Sequence, residues 1–563
     1  MKDVTHSEKE GQKKKSRLRR LRWGLHAGAL LILLGYYYFY LPPLNYASMA
    51  FWAFLGIGAL LFFIAEAIYD SELKRTQRQK ARQANLGQRL RSAFSQKDRP
   101  KRKYRLLFAG LGLALLAYLA IQVIYSPLFM ADRYAHMIEL DKKGFKEDFP
   151  ETDVSQIPLI DRDTAALLGN RRLGELSELV SQFEAAPDYT QINIQGHPYR
   201  VSPLEYAGFF KWLNNFRQGI PNYIQVDMVS GDTKLVDLEN TMKYTNDDLF
   251  FRNAKRVLRL RYPFAIFNQP SFEVDDQGHP YYVATTYGKH FIVKEPEPTG
   301  VVLLDAVSGE TQHYQLDQVP GWIDRVYSSD IILHQLQMNG KYRGGFWNAL
   351  FAKTGVTKPT AGYNYLPMND DIFLYTGVTS VAQDASNIGF VLVNMRTKET
   401  SFYPLTAAEE MSAMKSSEGS VQEKGYQATF PLLINLKGNP MYILSLKDQA
   451  GLIKQYALID VNNYQNVIIA QSVPALIEDY AKASGAHFEE VSQMEDLKTI
   501  EGNLDRIAAV VKEGNSVYYL KIDGSIYQVP IQLNEELPFL VPDTAVKLQV
   551  KEDGQVEKME ILD

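Results

Sequence analysis

The 563-residue chain contains no cysteine. This absence excludes disulfides, thiolate metal sites, cysteine nucleophiles and iron–sulfur clusters. Large exported domains of eukaryotes usually carry disulfides, so a cysteine-free chain with an exported part favours a bacterial protein. The chain also lacks a Walker-type phosphate loop, a His-Glu-x-x-His pair and a Gly-x-Ser-x-Gly turn. Its nine histidines are scattered. We therefore expect no cofactor, no metal and no catalytic residue, and we favour a protein that is not an enzyme.

Acidic residues are scarce in the first 105 residues of the chain. Residues 1–105 hold 22 Lys and Arg against 7 Asp and Glu, a net charge of +15. The remaining residues carry a net charge of −19. A basic head joined to an acidic body suggests that the two parts lie in different compartments.

Three apolar runs, at about 23–41, 47–69 and 106–125, approach the roughly 20 helical residues that a bilayer requires. The first two predict a transmembrane hairpin (23–69), and the last predicts a third transmembrane helix (106–126). Lys and Arg are concentrated in residues 1–22 and 70–105, which predicts a cytoplasmic tail and a cytoplasmic loop. The chain is then a multi-pass protein of the bacterial plasma membrane, with a cytoplasmic N-terminus and an extracytoplasmic domain after about Ser126.

Two other interpretations of the N-terminal part fit less well. No small-residue cleavage site follows the first run and two further runs come after it, which disfavours a signal peptide. The basic loop is expected to touch anionic lipid headgroups, so the lipid bilayer is a predicted partner and nucleic acid is not.

The outer part contains two repeated patterns. The first is a Gly-Pro turn leading into a strand: NIQGHPYRV (193–201), DDQGHPYYV (275–283) and NLKGNPMYI (435–443). The second is a hairpin, such as VVLLDAVSGETQHYQL from Val301, whose turn begins at Asp227, Asp305, Asn394 or Asp460. A short carboxylate or amide at that place can bond the backbone of its own turn, which predicts a structural role for these four residues.

The predicted fold is a membrane-anchored α+β protein. After a connecting region (127–189), four hairpin-plus-helix modules follow at 190–260, 261–345, 346–424 and 425–485. The third lacks the Gly-Pro pattern and starts at MNDDIFLYTG. Residues 497–563 alternate strands with Gly turns and predict a small all-β, OB-like barrel.

Two resemblances rest on these motifs. The hairpin unit, with its turn LLDAVSGET, resembles a PepSY-type module, which implies an extracellular module that binds or restrains a partner protein. The stretches IPLIDRDTAALLGNRRLGEL (from Ile157) and GYNYLPMNDDIFLYTG (from Gly362) resemble a family of uncharacterised Gram-positive (Firmicute) membrane proteins sometimes labelled cell-shape-determining. This second resemblance implies an envelope location and transfers no mechanism.

Two groups of side chains are candidates for binding. Asn369, Asp370, Asp371 and Asp384 form an oxygen-rich stretch that could hold Ca²⁺, although a solvated turn explains it better. A second group, Tyr342, Phe346 and Trp347, lies beside paired glycines and could stack on sugar rings. The start of a core-facing helix is the simpler interpretation of that group.

The leading functional hypothesis is a non-enzymatic envelope scaffold, whose tandem modules bind envelope proteins or further copies of the chain in cell-wall or cell-shape maintenance. One alternative is an envelope enzyme acting on polysaccharide or peptidoglycan, which requires two carboxyl groups such as Asp370 and Asp371 facing one cleft. Another alternative is an accessory subunit of a transporter.

Overall fold

The computed structural model describes residues 2–83, 99–291, 294–368, 370–381, 383–484, 498–512, 515–530, 533–534, 536–550 and 556–562. The chain divides into two compact units, Met1–Ser484 and Gly485–Asp563. Helices and antiparallel sheets both contribute to the first unit, which confirms the predicted α+β class.

Two long helices, Lys2–Tyr40 and Met49–Gln83, form an antiparallel pair at the N-terminus. Arg22 pairs with Glu66 at 2.6 Å near the middle of both helices, and the rings of Tyr36 and Phe54 lie 6.1 Å apart nearer the connecting turn. A third helix, Arg99–Ile124, bends by 56° into the short helix Pro127–Ala135.

The prediction of three membrane-spanning helices is wrong in number. Within the described residues, only Met49–Thr76 is by itself long and apolar enough to cross a membrane, and a second crossing is reached only if Gly112–Ile124 and Pro127–Ala135 form one bent span. The first helix is less apolar, because its apolar run contains His26 near the start and four tyrosines in the last turns.

Four sheets follow the helices, and each contains two short strands, one long strand and two further strands. Strand β1, Asp141–Lys142, pairs in parallel with Ser401 and Phe402 in the last strand of the third sheet. The first sheet contains β2 Phe183–Ala185, β3 Thr190–Ile194, β4 His197–Tyr206, β5 Ile220–Asp227 and β6 Thr233–Met242. The second contains β7 Ile266–Phe267, β8 Ser271–Val274, β9 Pro280–His290, β10 Glu295–Asp305 and β11 Thr311–Gln315. The third contains β12 Thr357–Pro359, β13 Asn364–Met368, β14 Asp371–Ser380, β15 Gln383–Asn394 and β16 Thr400–Ala408. The fourth contains β17 Gln427–Ala428, β18 Leu432–Leu436, β19 Asn439–Lys447, β20 Ile453–Asp460 and β21 Val467–Ala470.

The strand order is the same in all four sheets. Two short strands pair with successive parts of the long strand (β4, β9, β14 or β19), and the next two strands extend the sheet outward. The turn before each long strand needs a left-handed residue. Gly196, Gly278 and Gly438 supply it with φ values of 83°, 79° and 82°, and Asp370 supplies it in the third sheet with a φ of 64°.

Helices occupy the spaces between successive sheets. Three of them, Ala254–Arg261, Ser329–Tyr342 and Glu410–Ser420, follow the first, second and third sheets. Each contributes buried side chains to a core that contains residues of the sheet before it and of the sheet after it. Each of these helices is therefore buried between two sheets, in addition to following its own. The helix Val473–Ser484 packs on the fourth sheet.

The fourth sheet contacts the segment that precedes the first sheet. Lys447 of β19 pairs with Asp161 at 2.6 Å, and the Ser445 hydroxyl donates to the Leu159 carbonyl oxygen at 3.0 Å. Asp161 is also the N-cap of the helix Arg162–Gly174, which packs on the first sheet. Four shorter helices are Phe145–Asp148, Ser177–Val180, Phe209–Asn215 and the π-helical turn Asn348–Ala352.

The described residues of the C-terminal unit are mainly β-strand, with one short 3-10 helix at Leu537–Phe539, in the region for which the sequence predicts an OB-like barrel. Two three-stranded antiparallel sheets share one apolar core that includes Leu520 and Val546. One sheet contains β22 Lys498–Asn503, β26 Ala545–Val550 and β27 Val556–Ile561. The other contains β23 Arg506–Lys512, β24 Asn515–Ile522 and β25 Ser525–Pro530. The second sheet is a meander in which each strand pairs with the next one along the chain.

Candidate membrane-facing site

The four repeated turn residues have the predicted structural role. In each hairpin the side-chain oxygen accepts a hydrogen bond from the amide two residues later, at 2.7–2.9 Å. The acceptors are Asp227, Asp305, Asn394 and Asp460. These bonds hold the turns, and the same geometry in four places argues against catalysis.

In three of the four sheets, a residue at or just before the start of the long strand contacts the turn of its own sheet. His197 lies 2.8 Å from the Asp227 carboxylate, and His279 lies 3.1 Å from Asp305. In the third sheet the equivalent residue is Asp371, whose carboxylate accepts from Asn394 at 2.8 Å and forms a bidentate pair with Arg396. Here the acidic group begins the strand and the basic group lies in the turn, so MNDDIFLYTG takes the place of the Gly-Pro pattern in the third sheet.

The two central carboxylates of the oxygen-rich stretch therefore already have hydrogen-bond partners. Asp370 accepts from the Gly196 amide at 2.9 Å, and both carboxylate oxygens of Asp371 are engaged by Arg396 and Asn394. Asn369 lies outside the described residues. Asp384 belongs to strand β15, but its side chain is outside the described part of the chain. A shared Ca²⁺ site and a carboxylate pair for glycan chemistry stay untested predictions.

The three candidate aromatic residues are divided between core and surface. Tyr342 is buried against Tyr134, with ring centroids 6.3 Å apart, and Phe346 packs against the same cluster. Trp347 is 62% exposed and stacks on Phe351 at 5.9 Å. Tyr342 faces the core, but it ends the helix Ser329–Tyr342 and does not start one, whereas Trp347 is available to a ligand or a lipid.

The attachment of the first two sheets to the N-terminal helices has no signal in the sequence. Arg259 is 2% exposed, and its Nε donates to the Leu41 carbonyl oxygen at 3.0 Å. The Leu44 amide donates to the Pro263 carbonyl oxygen at 2.7 Å, and the Asn45 side chain donates to that of Phe264 at 3.0 Å. These contacts lie at the turn that precedes the helix Met49–Thr76, which is long and apolar enough to cross a membrane.

Exposed phenylalanine side chains lie on segments near this turn, two of which contact the N-terminal helices or their connection. We define the Phe patch as five residues that each expose more than half of their surface: Phe209, Phe210, Phe250, Phe251 and Phe264. Trp212 links the first and third, with ring centroids 5.8 Å from both Phe209 and Phe250. Phe251 approaches Tyr38 of the first helix at 6.2 Å. A contiguous apolar patch of this kind marks an interaction surface. The Phe-Phe pairs at 209–210 and 250–251 were the available signal in the sequence.

A second region that the sequence did not reveal is a buried polar cluster between the first two sheets. Asp324 is buried and accepts from the Asn193 amide at 2.6 Å. Burial raises the pKa of Glu273 to about 7, and burial with the nearby Glu273 raises the pKa of Asp324 well above its usual range. One oxygen of each carboxyl lacks a hydrogen-bond partner within the described residues. Neutral carboxyls are the stable form at such a place.

Comparisons with known proteins give no family. No protein-family model matches the chain, and no curated protein matches it. Among solved structures, the C-terminal domain of YpeB from Bacillus megaterium is similar over 42% of this chain and 99% of its own, at 11% identity and a TM-score of 0.10. An endo-arabinase from Bacteroides thetaiotaomicron covers 50% of this chain and 72% of its own, at 10% identity and a TM-score of 0.14. A levansucrase mutant from B. megaterium covers 74% of this chain and 93% of its own, at 8% identity and a TM-score of 0.18. Likeness at these TM-scores carries no conclusion about fold or function.

Proposed function

We propose that this chain is a non-enzymatic scaffold of the bacterial cell envelope, held against the outer face of the plasma membrane. The observation that supports this most is the attachment of the first two sheets to the N-terminal helices through buried Arg259 and the Leu41 carbonyl oxygen. A flexible linker would leave the modules free to turn. A buried guanidinium bonded to the helix end holds them in one orientation, which a scaffold requires.

The same contacts support a topology. One end of the helix Met49–Thr76 lies beside Pro263 and Phe264, on the side of the modules. Its other end leads into the basic loop, which the excess of Lys and Arg assigns to the cytoplasm. The chain must then cross back before it enters the modules, and the helix Arg99–Ile124 is the segment proposed for this return. Lys294 bonds the Tyr125 carbonyl oxygen at 3.0 Å near its outer end.

The Phe patch fits this placement. Its side chains surround the outer end of the span, where an apolar side chain can enter the boundary between headgroups and acyl chains. We therefore propose that the patch rests in the outer leaflet. The other module surfaces then face the cell wall and are the proposed contact area for envelope proteins or further copies of the chain.

Crosslinking in native membranes tests the scaffold proposal. A photoreactive amino acid at Tyr464, exposed on the fourth sheet, should give a reproducible crosslinked partner or homo-oligomer. The same probe at Phe251 should crosslink to lipid instead. If neither Tyr464 nor further exposed module positions gave any discrete protein product, the scaffold function would lose its support, while the membrane topology would stand on the labelling experiment described in the Discussion.

A further inference from the structure

A cavity of about 410 Å³ opens beside the helix Ser329–Tyr342, between the π-helical turn Asn348–Ala352 and strand β12. Its volume lies within the range of about 300–1,000 Å³ that is usual for small-molecule sites. No activity or repeat pattern described above uses this cavity.

The walls combine apolar surface with basic groups. Tyr342, Phe346 and Leu350 supply apolar surface. The basic groups are Lys341, Lys353 and Lys358, and none of the residues lining the cavity carries a carboxylate. An occupant with an anionic head and an apolar tail would satisfy both kinds of wall, because each lysine attracts a phosphate while the aromatic rings exclude water.

The cavity lies beside the short helix that follows the third N-terminal helix. Tyr342 and Phe346 pack in one cluster with Tyr134 and Met130 of the helix Pro127–Ala135, which continues the apolar helix Arg99–Ile124 after its bend. Exposed apolar side chains lie on both elements. They are Phe129 on the helix, and Trp347, Leu350 and Phe351 at the π-helical turn. This edge of the modules is a second apolar surface beside a segment proposed to cross the membrane.

We propose that the cavity binds an anionic phospholipid of the outer leaflet. The three lysines hold the phosphate of the headgroup, and Tyr342, Phe346 and Leu350 enclose the first part of an acyl chain. Trp347 and Phe351 then lie among the neighbouring lipids. This inference rests on the proposed membrane placement of the helix Arg99–Ile124.

Lipid binding by the full-length chain in a mild neutral detergent tests the site. Native mass spectrometry would count bound dioleoyl-phosphatidylglycerol and dioleoyl-phosphatidylcholine over a concentration series. The wild-type chain should retain one phosphatidylglycerol in preference to phosphatidylcholine. Combined Lys341→Gln, Lys353→Gln and Lys358→Gln should weaken that binding at least tenfold, because the phosphate loses the three positive charges that attract it. Inorganic phosphate at millimolar concentration should not displace the lipid.

Two variants separate the site from general charge and from misfolding. Lys142, Lys234 and Lys415 are exposed residues remote from the lining, and their combined replacement by Gln should leave the affinity unchanged. Ala349→Phe fills the cavity while all lysines remain, and it should also abolish the preference. Equal loss in both lysine triples, or equal retention of the two lipids by the wild-type chain, would overturn the proposed site. The scaffold function would survive that result, whereas a chain that failed to enter bilayers would overturn both.

Discussion

Arg259 and the carbonyl oxygen of Leu41 are joined by a hydrogen bond of 3.0 Å across 218 residues of sequence. The guanidinium also lies 3.9 Å from the centre of the Phe267 ring and donates to the Ala265 carbonyl oxygen. It therefore connects the end of the first helix to the start of the second sheet. Burial lowers the pKa of Arg259 to about 10, which leaves it charged at neutral pH.

Replacing Arg259 should loosen the modules from the helices. Arg259→Ala leaves the Leu41 and Ala265 carbonyl oxygens without their donor and removes a stacked side chain, so we expect a loss of about 2–4 kcal/mol in unfolding free energy. Thermal unfolding in nanodiscs measures this loss. Arg261→Ala, on an exposed face of the same helix, should change stability by less than about 0.5 kcal/mol. Equal effects of the two replacements would contradict the attachment.

The Phe patch should contact lipid. A bimane label on a Phe210→Cys variant should be quenched by brominated acyl chains in reconstituted vesicles, because Phe210 is 76% exposed beside the proposed outer leaflet. The same label on Ser230→Cys, in the exposed hairpin turn of the first sheet, is the control and should not be quenched. Equal quenching at both positions would remove the proposed orientation of the modules.

Glu273 should make stability depend on pH. Its pKa is raised by burial to about 7 in the folded chain, against about 4.5 when unfolded. The unfolded chain thus releases the proton first, and stability falls as the pH rises from about 4.5 to above 7. Glu273→Gln keeps a neutral group there, so it should gain about 3 kcal/mol relative to the wild-type chain at pH 8 and little at pH 4.

Chemical denaturation at several pH values checks the sign. Glu310→Gln, at an exposed turn, should leave the pH dependence unchanged. A stability that rose with pH over the same window, and a Glu273→Gln variant that left the curve unaltered, would show that the buried carboxyl is not protonated.

Asp371 should act as a structural ion-pair partner and not as a metal ligand. Its side chain is 12% exposed and is engaged by both Arg396 and Asn394. Asp371→Ala leaves a partly buried guanidinium unpaired, so we expect a loss of about 2–4 kcal/mol, equal in Ca²⁺ and in chelator. Asp232→Ala, an exposed turn residue, is the control. A Ca²⁺-dependent rise in the melting temperature that disappears in Asp371→Ala would instead support the oxygen-rich cation site.

Local chemistry made parts of this structure predictable. The side chains of Asp227 and Asp305 bond amides two residues away, so the turn pattern alone indicates them. The third copy was harder to recognise because Asp370 adopts the left-handed conformation that glycine holds elsewhere. Asp371 then replaces the histidine of the first two sheets, so a carboxylate lies where those sheets have an imidazole. The pattern changed, while the backbone conformation stayed the same.

Contacts between residues far apart in the chain could not be predicted from the sequence. The bond from Arg259 to Leu41 has no local signal, since an arginine on a short helix is usually solvated. The burial of Glu273 between two sheets could be suspected only from its position inside the apolar strand SFEV. The helices between sheets were predicted as elements, but their partners depend on how the sheets stack.

The central claim is that the membrane separates the basic N-terminus from the modules. The cysteine-free chain permits one introduced thiol at a time, at Ser16 before the first apolar run or at Ser230 in the first sheet. A membrane-impermeant maleimide applied to intact cells should label Ser230→Cys, and should label Ser16→Cys only after lysis. Labelling of Ser16→Cys in intact cells with Ser230→Cys protected, or equal labelling of the two before lysis, would contradict the account.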